Sequence, residues 1–223
     1  MIKKSGWWLP GKDTYFARFL EGDGGKKNGF QREHLYEALK YVENFGTAVD
    51  IGAHVGFWAW DMGHRFKHVH CFEPAPDCYE CLVKNLEEYP NAITYNVAVG
   101  DRDGECELID DPRRIQKAGA NTGARYVNPT GRGTKMIKID DLNLEACDFL
   151  KVDVEGFEYQ VLLGARRTIA RFRPVIIMET SKRFASRFGV SNHAAVNFLK
   201  DKKRDYELKV IMRPDSVYVP TKR

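Results

Sequence analysis

Apolar and polar positions fall in blocks along the chain, and the period of each block predicts an element. Residues 30–44, FQREHLYEALKYVEN, carry Phe30, Leu35, Ala38, Leu39 and Val42 at helical spacing. TAVDI reads as a buried strand, and Gly56 to Phe66 as a helix that opens at a glycine. HVHCFEP reads as a second strand closed by Pro74. DCYECLVKNLEEY follows as a helix with Leu82, Val83 and Leu86 inward, then ITYNVAVG as a third strand. GECELID and KMIKIDDL are expected as short strands, DFLKVDVEG as a buried one, FEYQVLLGARRTIARF as a helix and RPVIIMETS as a further strand. SNHAAVNFLKDKKR reads as a helix beginning at a capping residue, Ser191. YELKVI and SVYVP close the chain as two strands joined by the turn MRPD.

Two stretches lack such a period. Residues 1–29 are expected to be an irregular aromatic extension, with Trp7, Trp8, Tyr15, Phe16 and Phe19 before the glycine-rich loop EGDGGKKNG. Residues 111–134, DPRRIQKAGANTGARYVNPTGRGT, read as a loop over one face. The remainder, 30–223, alternates strand and helix. That order predicts an α/β domain, with a parallel sheet covered on both faces and an antiparallel hairpin at one edge.

Composition narrows the class only modestly. Hydrophobic residues make up 43% and charged residues 30% of 223, as in ordinary soluble domains. A net charge of +4 permits an anionic partner without demanding one. Five cysteines do not form an even disulfide framework, which points to a reduced, cytoplasmic setting. Cys78 and Cys81 form a C-x-x-C with no second pair at zinc-site spacing. No apolar run is long enough to span a membrane, and MIKKSGWWLPGK has too short an apolar core for a signal peptide.

Candidate chemistry gathers at the strand ends. In open parallel sheets, ligands bind beyond the carboxyl ends where strand order reverses. Those tips carry Asp50 to Gly56, Glu73 to Pro74, Asn96 to Gly100, Asp153 to Gly156, and Glu179 to Thr180. Acids converging there repel one another unless a ligand uses them. Gly52 and Gly56 would let a ligand approach the backbone, and the helix start beside them suits an anion. With Asp50 just before, a zwitterion fits this turn better than a pyrophosphate does. The plain alternative is a tight turn that needs glycine. Glu73 stands where nucleotide-binding sheets place an acceptor for ribose hydroxyls; its alternative is a solvated acid beside a proline turn.

The blocks VDIGAHVG, CFEPAPDCYECLVKNL, NVAVGDRDG, FLKVDVEGFEYQVLLGA and PVIIMET together resemble the FkbM-type family of class I S-adenosylmethionine-dependent methyltransferases, over about residues 47–181. His54 occupies the position of a glycine in the general superfamily turn, and a polar residue there is familiar in this family. The resemblance implies a Rossmann-like fold with a mostly parallel seven-stranded sheet, a C-terminal antiparallel hairpin and helices on both faces. It implies S-adenosyl-L-methionine as cofactor: Asp50 toward the methionine ammonium, Gly52, Ala53, His54 and Gly56 along the methionine, and Glu73 and Pro74 at the ribose. Asn96, Val97 and Ala98 would border the adenine, with Asp153 near the sulfonium. It also implies O-methylation of a hydroxyl on a saccharide or small metabolite. An acceptor hydroxyl must lose its proton; Asp153 is the first candidate for the base, followed by Glu155 and His54. No metal site is assigned, although Asp153, Glu155 and Glu179 are the acids that magnesium would use.

Other readings compete. A nucleic-acid methyltransferase on the same fold draws support from the basic residues Arg113, Arg114, Lys117, Arg125, Arg132 and Lys135. It lacks both the Asp/Asn-Pro-Pro-Tyr/Phe and the Pro-Cys motifs. A nicotinamide oxidoreductase requires G-x-G-x-x-G, which is missing. A non-catalytic module of the same fold is opposed by the intact acids. Trp7 and Trp8 are read as packing or as part of a sugar pocket, and His64, His68 and His70 as solvated or core residues. The oligomeric state is left open.

Overall fold

The computed structural model describes residues 1–22, 29–112, 120–180, 185–191, 193–202 and 204–221. In chain order the elements begin with β1 (Ile2–Lys4), β2 (Trp7–Leu9), α1 (Tyr15–Glu21), α2 (Arg32–Leu39), β3 (Thr47–Ile51), α3 (Phe57–Gly63), β4 (His68–Phe72) and α4 (Pro76–Asn85). Next come β5 (Ala92–Tyr95), β6 (Ala98–Val99), β7 (Gly104–Asp110), β8 (Arg125–Asn128), β9 (Thr134–Ile137) and β10 (Phe149–Val152). The remainder holds α5 (Glu158–Gly164), α6 (Arg166–Phe172), β11 (Val175–Glu179), α7 (Ala194–Lys200), β12 (Tyr206–Met212) and β13 (Asp215–Pro220).

β3 and β10 are buried at every residue, as apolar strands covered on both faces must be. The seven-stranded sheet runs β12-β13-β11-β10-β3-β4-β5. β11, β10, β3, β4 and β5 pair in parallel, and β13 runs antiparallel to both β11 and β12. From β3 the chain steps outward to β4 and β5, then returns to the other side of β3 for β10. Strand order therefore reverses between β3 and β10, and the loops that leave their carboxyl ends part there.

Alternate side chains of a strand face opposite ways, and the core divides accordingly. Ala48, Phe149, Val175 and Ile177 pack with Leu35 of α2, Met62 of α3 and Leu82 of α4. Val49, Leu150, Ile176 and Met178 pack on the other face with Val161 of α5, Ile169 of α6 and Leu199 of α7. Asp50 and Lys151 are direct neighbours across β3 and β10, so two charged groups enter the first of these faces together.

The two stretches expected to be irregular are structured where described. β1 and β2 form an antiparallel hairpin, turned by Ser5 and Gly6 at positive φ. Leu9, Phe16 and Leu20, from β2 and α1, belong to the same core cluster as Leu35 and Met62. Within the expected loop 111–134, a 3-10 turn at Thr122–Ala124 leads into β8. β8 joins a second sheet of order β6-β9-β7-β8. Ala98, Cys106, Val127, Met136 and Phe157 pack as its core.

The expected third strand is split in two. The Asn96 amide donates to the Glu73 and Pro74 carbonyls, and beyond it the chain leaves the main sheet for the second one. The long helix expected over 157–172 is also broken, at Ala165 between α5 and α6. The helix expected to begin at Ser191 starts at Ala194, with His193 at its N-cap and no side-chain cap; the Ser191 hydroxyl accepts from the His193 N–H one step earlier. Arg113, Arg114, Lys117 and most of the EGDGGKKNG loop lie outside the described residues. No helix among the described residues is long and apolar enough to cross a membrane.

Candidate active site

A crevice open to solvent lies where the strand order reverses, the place where open parallel sheets bind ligands. Its walls include Gly52 and His54 after β3, Glu73 and Pro74 after β4, Val97 and Ala98, and Asp153 and Glu155 after β10. The second sheet supplies the opposite wall through Leu108, Thr122, Arg125, Tyr126 and Val127. Asp50, Ala53, Gly56 and Asn96, four further candidates from the sequence, do not line it.

Asp50 is fully buried, with Oδ1 3.1 Å from Lys151 Nζ. Burial pushes its carboxyl up, and Lys151 pulls it back down. Lys151 also donates to the Gly52 carbonyl at 2.5 Å and lies 3.7 Å from Asp153 Oδ2. One buried ammonium thus ties together the β3 turn and the acid that reaches the crevice. Lys151 escaped notice in the sequence. Its signal was there: a lysine inside the apolar run DFLKVDVEG requires an acid on a neighbouring strand.

The glycine turn spends its amides internally. Gly52 and Ala53 N–H both donate to the Phe72 carbonyl at 3.0 Å, and Gly56 N–H donates to Ala53 at 2.9 Å. Gly52 has a φ of +80°, and a Cβ there would sit 1.9 Å from the Asp153 carbonyl oxygen. A Cβ on Gly56 would meet Leu82 of α4 at 2.9 Å. These glycines are therefore required by the chain's own packing. The N–H groups of Gly52, Ala53 and Gly56 are thus spent inside the protein.

Glu73 is clamped from both sides. Its Oε2 accepts from His54 N–H at 2.8 Å and its Oε1 from Ala75 N–H at 2.9 Å. Burial pushes its carboxyl up to about 7, against the pull of those two hydrogen bonds. A carboxylate has about four lone-pair sites, so each oxygen keeps acceptor capacity on a wall of the crevice.

β10 ends before Asp153, and Glu155 and Gly156 follow at positive φ, so Asp153 and Glu155 both reach the crevice instead of pointing to opposite faces. Behind them Glu158 accepts from Gly156 N–H at 2.9 Å, and burial pushes it up to about 7. Glu179 is pushed up to about 10 by burial and by Asp153, Glu155, Glu158 and Asp215. Among the described residues no three histidine, cysteine or acidic side chains are grouped so as to hold a metal ion.

His54 sits at φ +53° with its ring against Phe16, centroids 4.7 Å apart. Its Nε2 is 2.8 Å from the Thr122 hydroxyl oxygen, which is hydrogen-bonded to Asp13. Burial lowers the imidazole to about 4. Asp13 and Thr122 lie in the two stretches with no period to read, so nothing in the sequence marked them. Arg125, expected in a basic loop, is instead mostly buried and bonded to Asp77 through both terminal nitrogens and to Asp110 through Nε. Arg132 and Lys135 are exposed. His64 and His70 bond to Tyr89 and Tyr95, respectively. All five cysteines, including Cys78 and Cys81, are free and buried.

Comparison with known proteins agrees with this architecture. The hexuronic acid methyltransferase AglP of Haloferax volcanii is 27% identical over 144 residues, which cover 62% of this chain and 58% of that protein. The crystal structure of methyltransferase FkbM from Methylobacillus flagellatus superposes with a TM-score of 0.56 at 20% identity, covering 85% of this chain and 46% of that one. The chain thus spans about half the length of these two relatives. N-methyltransferase NodS from Bradyrhizobium japonicum, crystallised with S-adenosyl-L-homocysteine, superposes with a TM-score of 0.50 at 10% identity, covering 94% and 99% of the two chains. At such identities the structural likenesses speak for the fold, which is the Rossmann-like fold of class I methyltransferases. The methyltransferase FkbM domain matches residues 50–208, most of the chain, and the chain belongs to that family.

Proposed function

We propose that this chain is an S-adenosylmethionine-dependent methyltransferase that O-methylates a hydroxyl of a saccharide or small metabolite. The observation that carries the reading is the crevice at the strand reversal, where the clamped carboxylate of Glu73 and the partly exposed carboxylate of Asp153 share one cavity with the Gly52 turn. The donor set fits the cofactor. Glu73 has acceptor capacity for a ribose diol, and Pro74, Val97 and Ala98 offer apolar surface for an adenine. Gly52 and His54 line the part left for the methionine.

When bound, the cofactor supplies an electrophilic methyl group on a positively charged sulfur. Asp153 brings negative charge to that end, where a cation is favoured by Coulomb attraction. Asp50 serves indirectly, as the buried counter-charge that holds Lys151 and through it Gly52 and Asp153. The second sheet walls the crevice opposite the strand tips, so proximity of the acceptor to the methyl supplies much of the rate. Asp153, Glu155 and His54 all line the space where an acceptor proton must go. The saccharide class rests on the name of the Haloferax volcanii relative. The five buried free thiols suit a reducing, cytoplasmic setting.

The test is methyl uptake from S-adenosylmethionine by a panel of hexoses, hexuronates, hydroxylated metabolites and short RNA, read by mass spectrometry. Uptake on a saccharide or metabolite hydroxyl, reduced by about 100-fold or more in Asp153→Asn, is the expected result. Uptake on RNA alone would overturn the acceptor class.

A further inference from the structure

We infer that Asp13 and Thr122 are positioning residues that fix His54 as its Nε2–H tautomer and so leave its Nδ1 as the group that takes the acceptor's proton. This assignment rests on the functional reading above, and it goes beyond it by choosing one base and naming what sets it.

Counting protons around Thr122 fixes the tautomer. The Asp13 carboxylate accepts at Oδ1 from Phe16 N–H at 2.8 Å and at Oδ2 from Thr122 N–H at 3.0 Å. The same Oδ2 accepts the Thr122 hydroxyl proton in a short hydrogen bond. A threonine hydroxyl has one proton and two lone pairs. With its proton directed to Asp13, the Thr122 oxygen can only accept from its remaining neighbours, the Cys78 thiol and His54 Nε2, the latter at 2.8 Å. Nε2 therefore carries the hydrogen. In a neutral imidazole the other nitrogen, Nδ1, is then an unprotonated acceptor. His54 lines the crevice, and Nδ1 makes no hydrogen bond among the described residues.

The surroundings keep the ring neutral. Burial is the main cause, and Lys151 and Arg125 disfavour a second proton, while Asp13 and Asp153 favour it. Asp153 is less suited to the same task, because its carboxylate already serves as counter-charge to Lys151. The ring is held by its tilted contact with Phe16 and by the Nε2 contact with Thr122, and the backbone N–H of the same residue is fixed on Glu73. Asp13 is tied down in turn, since Thr14 and Tyr15 N–H both donate to the Ala120 carbonyl beside Thr122.

The step balances. His54 Nδ1 takes the hydroxyl proton as the acceptor oxygen bonds to the sulfonium methyl carbon, and the electrons of the broken carbon–sulfur bond return to sulfur. The products are a methyl ether, a neutral thioether and an imidazolium, which gives its proton to solvent.

The test combines ring spectroscopy with turnover on the full chain. Long-range proton–nitrogen correlation on labelled protein, with His54 assigned by its loss in His54→Gln, should give the Nε2–H tautomer and a slowly exchanging Nε2–H proton. Thr122→Ser should keep both. Thr122→Val should lose the protected proton and slow methyl transfer by about 10-fold or more with S-adenosylhomocysteine affinity within about 3-fold of wild type, and His54→Gln should slow turnover by about 100-fold or more at saturating cofactor. An Nδ1–H tautomer in the wild type overturns the inference, as does unchanged turnover in His54→Gln. Failure of the wild type to bind S-adenosylhomocysteine would instead remove the functional reading and the proton-acceptor role with it. Should Thr122→Val not fold, the wild-type tautomer and His54→Gln turnover still decide the matter.

Discussion

At the scale of single residues, the site depends on a buried cation. Lys151 lies between Asp50, Asp153 and the Gly52 carbonyl, in a place where an uncompensated charge would be costly. Removing one partner of a buried pair typically costs about 3–5 kcal/mol, because the other charge is stranded. Lys151→Met should therefore destabilise the fold by roughly that amount. Adding Asp50→Asn should restore part of the loss, since the stranded carboxylate is gone. Urea denaturation of the two single variants and the double variant checks this, and strictly additive losses would show that the two charges do not interact. Asp50 was legible in the sequence as an acid at a strand end. Its partner was not, because pairing depends on the register of β10 against β3, two strands separated by about half the chain. Glu73 was legible for the right place, and the structure adds its two backbone hydrogen bonds.

At the scale of elements, the parallel strands could be read because they are continuous apolar runs, and their order followed from alternation with helices. β7 matches the short strand expected over GECELID, whereas β8 falls in the expected loop. Only Val127 of β8 is buried, so it shows no apolar face long enough to outweigh the Gly, Asn and Pro around it. The same holds for the N-terminal hairpin, whose apolar residues are aromatics suited equally to a loop or to a strand. Yet these elements supply Thr122, Tyr126 and Val127 to the crevice and Asp13 to His54. The helix expected from Gly56 is present, but its glycine serves the contact with Leu82. The close approach of two elements also sets a prediction. Gly52→Ala places a Cβ against the Asp153 carbonyl at 1.9 Å, so the tips of β3 and β10 must part. The loss should exceed the roughly 1–2 kcal/mol of a left-handed alanine, and S-adenosylhomocysteine affinity should fall with it. A thermal melt and a binding titration check both; wild-type values in each would mean that the tips are not packed as described.

At the scale of the whole molecule, one sheet reversal, one bridging lysine and one covering sheet make a cavity with three acids, Glu73, Asp153 and Glu155, on its walls. The fold of the family was accessible from five sequence blocks, and the domain match over residues 50–208 takes in β4, β5, β10 and β11, while β13 lies beyond it. The wall facing the strand tips is built by β7, β8 and the turn at Thr122, from sequence that lies between the shared blocks. Calorimetry with S-adenosylhomocysteine and with NAD, on the wild type and on Glu73→Ala, tests the cofactor assignment most directly. The account predicts that S-adenosylhomocysteine binds and NAD does not, and that Glu73→Ala weakens the affinity by about 10-fold or more, as expected for lost hydrogen bonds to a charged group. No binding of S-adenosylhomocysteine, or equal binding by the variant, would contradict it.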